Sequence, residues 1–183
     1  MSKYNMLLER NIEVAATHEP IPLVTELQAQ GKMGELTTMV VTCVDPRCIP
    51  ENYFNLKTGE VFVNRNVGGN IQYAMRDILI LNAAFPDSFQ EIIIVHHTDC
   101  GSLRFTDDGM DKMVKNAIGE AHSAAIDNVA WAGWGGNEVI GIRKSVVNDL
   151  EWFRSSPIVP NHMKDKVRGL IFDIQTGKVE EVK

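Results

Sequence analysis

A chain of 183 residues, 44% hydrophobic and 23% charged, can bury a core without disulfide or metal staples and is ordinary in composition for a globular protein. Its formal net charge of −6 argues against nucleic acid, whose phosphates call for a basic surface. No apolar run reaches membrane-spanning length, and Glu9, Arg10 and Glu13 break the apolar core that a signal peptide needs, so a cytoplasmic protein without a membrane partner is expected. In that reducing compartment none of the three cysteines needs a disulfide, so each is either a small buried hydrophobe or a chemical group.

In chain order, Lys3 to about Thr17 reads as an amphipathic helix, interrupted by Pro20 and Pro22, and Val24 to Gln30 as a second short one. Thr37 to Thr42 is apolar or β-branched on both faces, as in a strand covered by helices on both sides. Glu60 to Asn64 is a second strand. The loop RNVGGN follows, with Asn70 as N-cap of a helix whose face is Ile71, Ala74, Met75, Ile78 and Leu79. Glu91 to Val95 (EIIIV) is a buried strand, so the intervening helix makes a right-handed parallel βαβ crossover. Thr106 with Asp107 and Asp108 starts a helix whose buried stripe is expected to be Met110, Met113, Val114 and Ala117. Trp131 to Asn137 is a glycine-rich aromatic loop, Glu138 to about Arg154 a long helix, and Gly169 to Val182 a closing hairpin. The expected architecture is α/β: a central, mainly parallel β-sheet flanked by helices, with a C-terminal hairpin. It forms one domain, in which residues 1–34 are a helical arm and 35–183 the core.

Reactive side chains collect where two of these strands end. VVTCVDPRC delivers Cys43, Asp45, Arg47 and Cys48; the second strand runs into His96, His97, Thr98, Asp99, Cys100 and Gly101. Ligands of open α/β sheets gather at the carboxyl ends of parallel strands. In an extended segment Cys43, Asp45 and Arg47 share one side, and Pro46 is expected to preserve that phase by holding Asp45 in β or polyproline angles. His97 and Cys100 are three apart, which one turn of helix would align. Two thiolates and an imidazole suit Zn²⁺, and three protein ligands mark a catalytic site, because the fourth position is left to water. A lone His-x-x-Cys or a single strand-end Cys reads as packing; the conjunction of both reads as a site.

Cys-x-Asp-x-Arg followed by His-x-x-Cys resembles the signature of the β-class carbonic anhydrases. VNRNVGGN and GLIFDIQTGKVEEV are similar to further segments of that family, and HHTDCGSLRFTDD to a short-chain branch that includes carbonyl sulfide hydrolases. The likeness runs from Thr37 to the C-terminus, weakest around 121–137, and departs at Pro46, where the family more often has serine. It implies one Zn²⁺ per chain on Cys43, His97 and Cys100, reversible hydration of carbon dioxide to bicarbonate by a zinc-bound hydroxide, and a homodimer or homotetramer. Asp45 would orient that hydroxide and Arg47 offset the carboxylate's charge. Gly101 would offer its N–H to a bicarbonate-like oxygen. Asp45 could instead close the site as a fourth ligand, and the sequence leaves both states open. It also leaves open hydrolysis of carbonyl sulfide or carbon disulfide, which are linear like carbon dioxide and susceptible to the same attack.

The other polar residues have plainer readings. His96, of opposite parity to His97, is assigned to support or packing, with metal contact in place of His97 as the lesser alternative; Asp99 to local backbone hydrogen bonds; Cys48 to a partly buried thiol; Arg65 to structure ahead of anion steering; and His18, His122 and His162 to the surface. No Gly-Lys-Ser/Thr follows the RNVGGN glycines, so nucleotide binding is disfavoured. Two further classes remain: a non-catalytic zinc or bicarbonate sensor, and a thiol redox protein. The second lacks Cys-x-x-Cys spacing.

Overall fold

A computed structural model describes residues 2–32, 37–85, 89–119 and 140–183, and the chain divides into two compact units, Met1–Met33 and Gly34–Lys183. The first unit is a helical pair. Helix α1 (Lys3–Ala15) is capped by Ser2, whose Oγ accepts from the Asn5 amide at 3.2 Å, and α2 (Val24–Ala29) begins where Glu26 accepts from the Leu23 amide. Neither helix buries a residue; Tyr4, Leu7, Leu8 and Ile12 are all exposed.

The second unit is built on a five-stranded sheet in the order β2-β1-β3-β4-β5, with β1 (Thr38–Cys43), β2 (Phe62–Asn66), β3 (Glu91–His97), β4 (Val167–Phe172) and β5 (Val179–Val182). All pairings are parallel except the closing β4–β5 hairpin. Helix α4 (Ile71–Ala84) carries the chain from β2 across β1 to β3, after the short α3 (Pro50–Tyr53). Its buried face is Ile71, Ala74, Met75 and Ile78, as the periodicity predicts, while Leu79, the fifth residue expected there, is only partly buried.

The sheet separates two apolar clusters. On one face Met39, Val41, Ile92 and Ile94 pack with α4 and with α6 (Ile142–Ser155), through Val146, Leu150 and Phe153. Each fully buried side chain of this kind stabilises the fold by about 1.5–3 kcal/mol. The second cluster joins Val40, Val95 and Phe172 with all three cysteines. Gly169 lets α6 lie directly on β4: a Cβ there would stand 2.5 Å from Val146 Cγ1 and 2.9 Å from Leu150 Cδ1.

Several expected boundaries move. Strand β2 begins at Phe62 and extends to Asn66, because its register on β1 pairs Met39 with Phe62 and Cys43 with Asn66. Arg65 and Asn66 are therefore strand, not loop. Helix α6 begins after Gly141, and Glu138 lies outside the described residues, as do His122 and the Trp131–Asn137 loop. Helix α5 (Asp107–Ile118) starts at Thr106, whose Oγ1 accepts from the Gly109 amide, but its stripe is not buried: Met113 is 44% exposed and Ala117 is exposed. Periodicity announces an amphipathic helix without saying what covers it.

Candidate metal centre and its dyad

Strands β1 and β3 are neighbours, so Cys43 and His97 arrive together at the carboxyl end of the sheet. Cys100 reaches them from the turn after β3. That turn is not the helical turn expected: Asp99 has φ 55, and a 3₁₀ segment begins only at Gly101. Left-handed backbone at one aspartate reverses the chain and returns Cys100 to the strand ends. One ligand atom from each of Cys43, His97 and Cys100 lies within 4.8 Å of the others, and all three residues are buried. The two sulfurs are 3.9 Å apart.

These residues fit a metal ion. His97 Nδ1–H donates to the Thr98 carbonyl at 2.9 Å, which leaves the lone pair on Nε2. Nε2 is buried without a hydrogen-bond partner among the described residues, a costly arrangement unless something else occupies its lone pair. The sulfurs are partnered, to each other, to the Asp45 amide and to Ser102 Oγ. Their mutual hydrogen bond, then burial, push the Cys43 thiol up. The same bond, then the neighbouring His97 imidazole and the Ser102 hydroxyl, hold the Cys100 thiol down. Burial works against protonating His97, yet Cys100 outweighs it and raises the imidazole. A negative focus among buried ligands is a place for a cation.

The Asp45 carboxylate faces this set, with Oδ2 3.9 Å from His97 Nε2. Arg47 grips it through Nε on Oδ1 at 3.0 Å and Nη2 on Oδ2 at 2.7 Å, and adds its backbone amide to Oδ1 at 2.9 Å. These donors hold the Asp45 carboxyl well below the usual carboxylate range. Pro46 acts differently from expectation: the Cys48 amide bonds the Asp45 carbonyl at 2.9 Å, so Asp45–Cys48 is a tight turn, not an extended run. Pro46 sits where such a turn wants its preset φ, and the turn folds Arg47 back onto Asp45. Arg65 pins the segment from beneath, donating to the carbonyls of Cys43, Val44 and Asp45, which is the structural role expected of it.

Three plainer readings need correction or extension. Cys48 is fully buried, not partly, with Sγ 3.1 Å from Thr42 Oγ1. Asp99 engages side chains, not local backbone: its Oδ2 accepts from Arg47 Nη1 at 3.0 Å and its Oδ1 from Arg104. His96 hydrogen-bonds away from the three candidate ligands. Its Nε2 donates to buried Asp149 Oδ2 at 3.2 Å, and Ser145 Oγ lies 3.0 Å from Nδ1. Asp149 also accepts from the Ile71 amide and from Asn70 Nδ2. Sequence reasoning missed Ser145 and Asp149; their i, i+4 spacing on the apolar face of α6 was the available signal. His18 and His162 are exposed as expected.

A pocket opens over Cys43 and Cys100, walled by Val44, Val67, Phe105 and Met110, with Gly101 also lining it. The profile of the carbonic anhydrase family matches residues 38–179, the span that holds strands β1 to β4 and every one of these residues. The chain belongs to the β-carbonic anhydrase family. β-Carbonic anhydrase 1 of Mycobacterium tuberculosis is 31% identical over 153 residues, covering 78% of this chain and 80% of that one. A carbon disulfide hydrolase of Acidianus sp. is 25% identical over 161 residues, covering 78% and 75%. The crystal structure of a carbonic anhydrase from Streptococcus mutans superposes with a TM-score of 0.73 at 25% identity, over 100% of this chain and 99% of its own. The family thus comprises carbonic anhydrases and related hydrolases, and no described helix here is long and apolar enough to cross a membrane.

Proposed function

We propose that this β-carbonic anhydrase family member is a zinc enzyme that hydrates carbon dioxide reversibly, CO2 + H2O giving bicarbonate and a proton, with the metal on Cys43, His97 and Cys100. One observation carries the reading: the buried Nε2 of His97, unpartnered among the described residues, converges with two sulfurs while the Asp45 carboxylate stands 3.9 Å from that nitrogen. Zn²⁺ bound there supplies the Lewis acidity that makes water a nucleophile near neutral pH.

The chain's own residues do the rest. Asp45 accepts a hydrogen bond from the attacking water and turns its lone pair towards the substrate carbon. Arg47 offsets the carboxylate's charge and fixes its plane through two parallel N–H···O bonds. With both Asp45 oxygens engaged by Arg47, the arrangement supports an Asp45 available to water and not one serving as a fourth ligand. Val44, Val67, Phe105 and Met110 offer an uncharged, linear molecule an apolar approach. Gly101 lines the same pocket, where its N–H would meet a bicarbonate oxygen. The exposed apolar residues of α1 support a homodimer or homotetramer.

A second reading is hydrolysis of carbonyl sulfide or carbon disulfide on the same residues, favoured by the carbon disulfide hydrolase among the relatives and by the apolar pocket wall. Assays of carbon dioxide hydration and of hydrogen sulfide release, run in parallel on one preparation, separate the two. Metal analysis should find roughly one zinc per chain, lost in Cys43→Ser. Asp45→Asn should keep the metal and lose about 100-fold or more in rate. Turnover unchanged in Asp45→Asn would remove the dyad from the mechanism.

A further inference from the structure

We propose that Asp99 is a positioning residue that holds Arg47 in the orientation the Asp45 dyad requires; the inference rests on the reading of Asp45 and Arg47 given above. The Arg47 guanidinium makes four side-chain hydrogen bonds and divides them evenly. Nε and Nη2 go to the Asp45 carboxylate; Nη1 goes to Asp99 Oδ2 at 3.0 Å and Nη2 to the Asp99 carbonyl at 3.2 Å. Two aspartates therefore bracket one planar fork, and four of its five N–H donors are committed.

The bracket matters because Arg47 is not held by packing. Its side chain is 47% exposed, and an arginine pair in solvent is worth little when the long side chain is free to leave. A second carboxylate on the outer nitrogen removes that freedom while leaving Nε and Nη2 aimed at Asp45. Asp99 can do this because of where the turn puts it. It lies between His97 and Cys100 at φ 55, so the backbone that returns Cys100 to the site also swings the Asp99 carboxylate over Arg47. Arg104 donates to the other oxygen, Oδ1, at 3.3 Å, which leaves Oδ2 to Arg47. The chain Arg104, Asp99, Arg47, Asp45 thus alternates in charge from the surface to the metal ligands.

The left-handed backbone selects the variants. Glycine tolerates φ 55 at no cost and keeps the carbonyl contact, so Asp99→Gly deletes only the carboxylate; asparagine keeps its shape and removes its charge. In the zinc-loaded enzyme, Asp99→Gly should lower kcat about tenfold with KM little changed, the loss expected of one charge-assisted hydrogen bond, and Asp99→Asn should fall between. Zinc content should stay at that of the unmodified protein. In ¹⁵N-labelled protein, with or without metal, the Arg47 Nε–H signal should become more mobile in Asp99→Gly. In an Arg47→Ala background, Asp99→Gly should cost nothing further, which a merely structural role would not produce. Wild-type kcat in both Asp99 variants, or an equal loss in the Arg47→Ala background, overturns the proposal while Asp45→Asn remains inactive. Full activity of Asp45→Asn overturns the dyad itself. Should Asp99→Gly fail to fold, Asp99→Asn with the same Arg47→Ala comparison decides.

Discussion

Gly69 lies against the backbone of Cys43: a Cβ at Gly69 would stand 2.9 Å from the Cys43 amide nitrogen and 2.9 Å from the Thr42 carbonyl carbon. Neither atom can move without shifting β1, and Gly69 itself has φ 70, which a side chain strains. Clash and left-handed strain together predict that Gly69→Ala destabilises the protein by about 2–5 kcal/mol, a large part of a typical domain's stability. Because the displaced atoms carry Cys43, a proposed ligand, zinc affinity should fall along with the midpoint of urea denaturation. A normal midpoint in Gly69→Ala would mean that the 67–69 turn can rotate away from β1.

Asp149 predicts a graded pair of variants. Its carboxylate is 1% exposed and ties α6 to the start of α4 through the Ile71 amide and Asn70, and to the end of β3 through His96. Asparagine can keep its oxygen at the Oδ2 position for Ile71 and His96 and sets a donor only against Asn70 Nδ2, whose bond is long at 3.4 Å. Asp149→Asn should therefore cost about 1 kcal/mol, and Asp149→Leu about 3–5 kcal/mol with several donors stranded. His96 precedes His97, a proposed ligand, so competition with a zinc chelator should show about 10–100-fold weaker metal binding in the leucine variant. Equal stability of the two variants would sink this account.

The convergence of Cys43, His97 and Cys100 is readable from sequence because strand ends and residue spacing carry it: Cys43 closes an apolar run, and His97 and Cys100 follow another. The parallel sheet and the face of α4 were legible for the same reason, since burial on both sides writes itself into composition. What was not legible depends on partners distant in sequence. The start of β2 is set by its register on β1, which no local count reveals. Asp99 looked like a turn residue bonding its neighbours; its true partner, Arg47, arrives from a different strand end. Pro46 next to Asp45 predicts an extended phase past the end of β1, but the turn it enters folds Arg47 back. The α5 stripe shows the limit of periodicity, which reports a face and not its cover.

The β4–β5 hairpin offers a pH test away from the proposed metal ligands. Asp173 closes its turn, with Oδ1 accepting from the Gln175 amide at 2.8 Å and the Thr176 amide at 3.2 Å. These backbone donors, Gln175 first, lower the Asp173 carboxyl below its ordinary value. A carboxyl depressed on folding binds its proton more readily when unfolded, so its contribution is fully present above the unfolded value of about 3.9 and is lost as pH falls through the folded one. Asp173→Ala should therefore lower Tm most at neutral pH, and the gap to the unmodified protein should narrow steadily below about pH 4. Backbone amide exchange at Gln175 and Thr176 should accelerate in the variant at neutral pH. A Tm gap that is the same at pH 7 and at pH 3 would show that Asp173 acts through turn geometry alone and not through its charge.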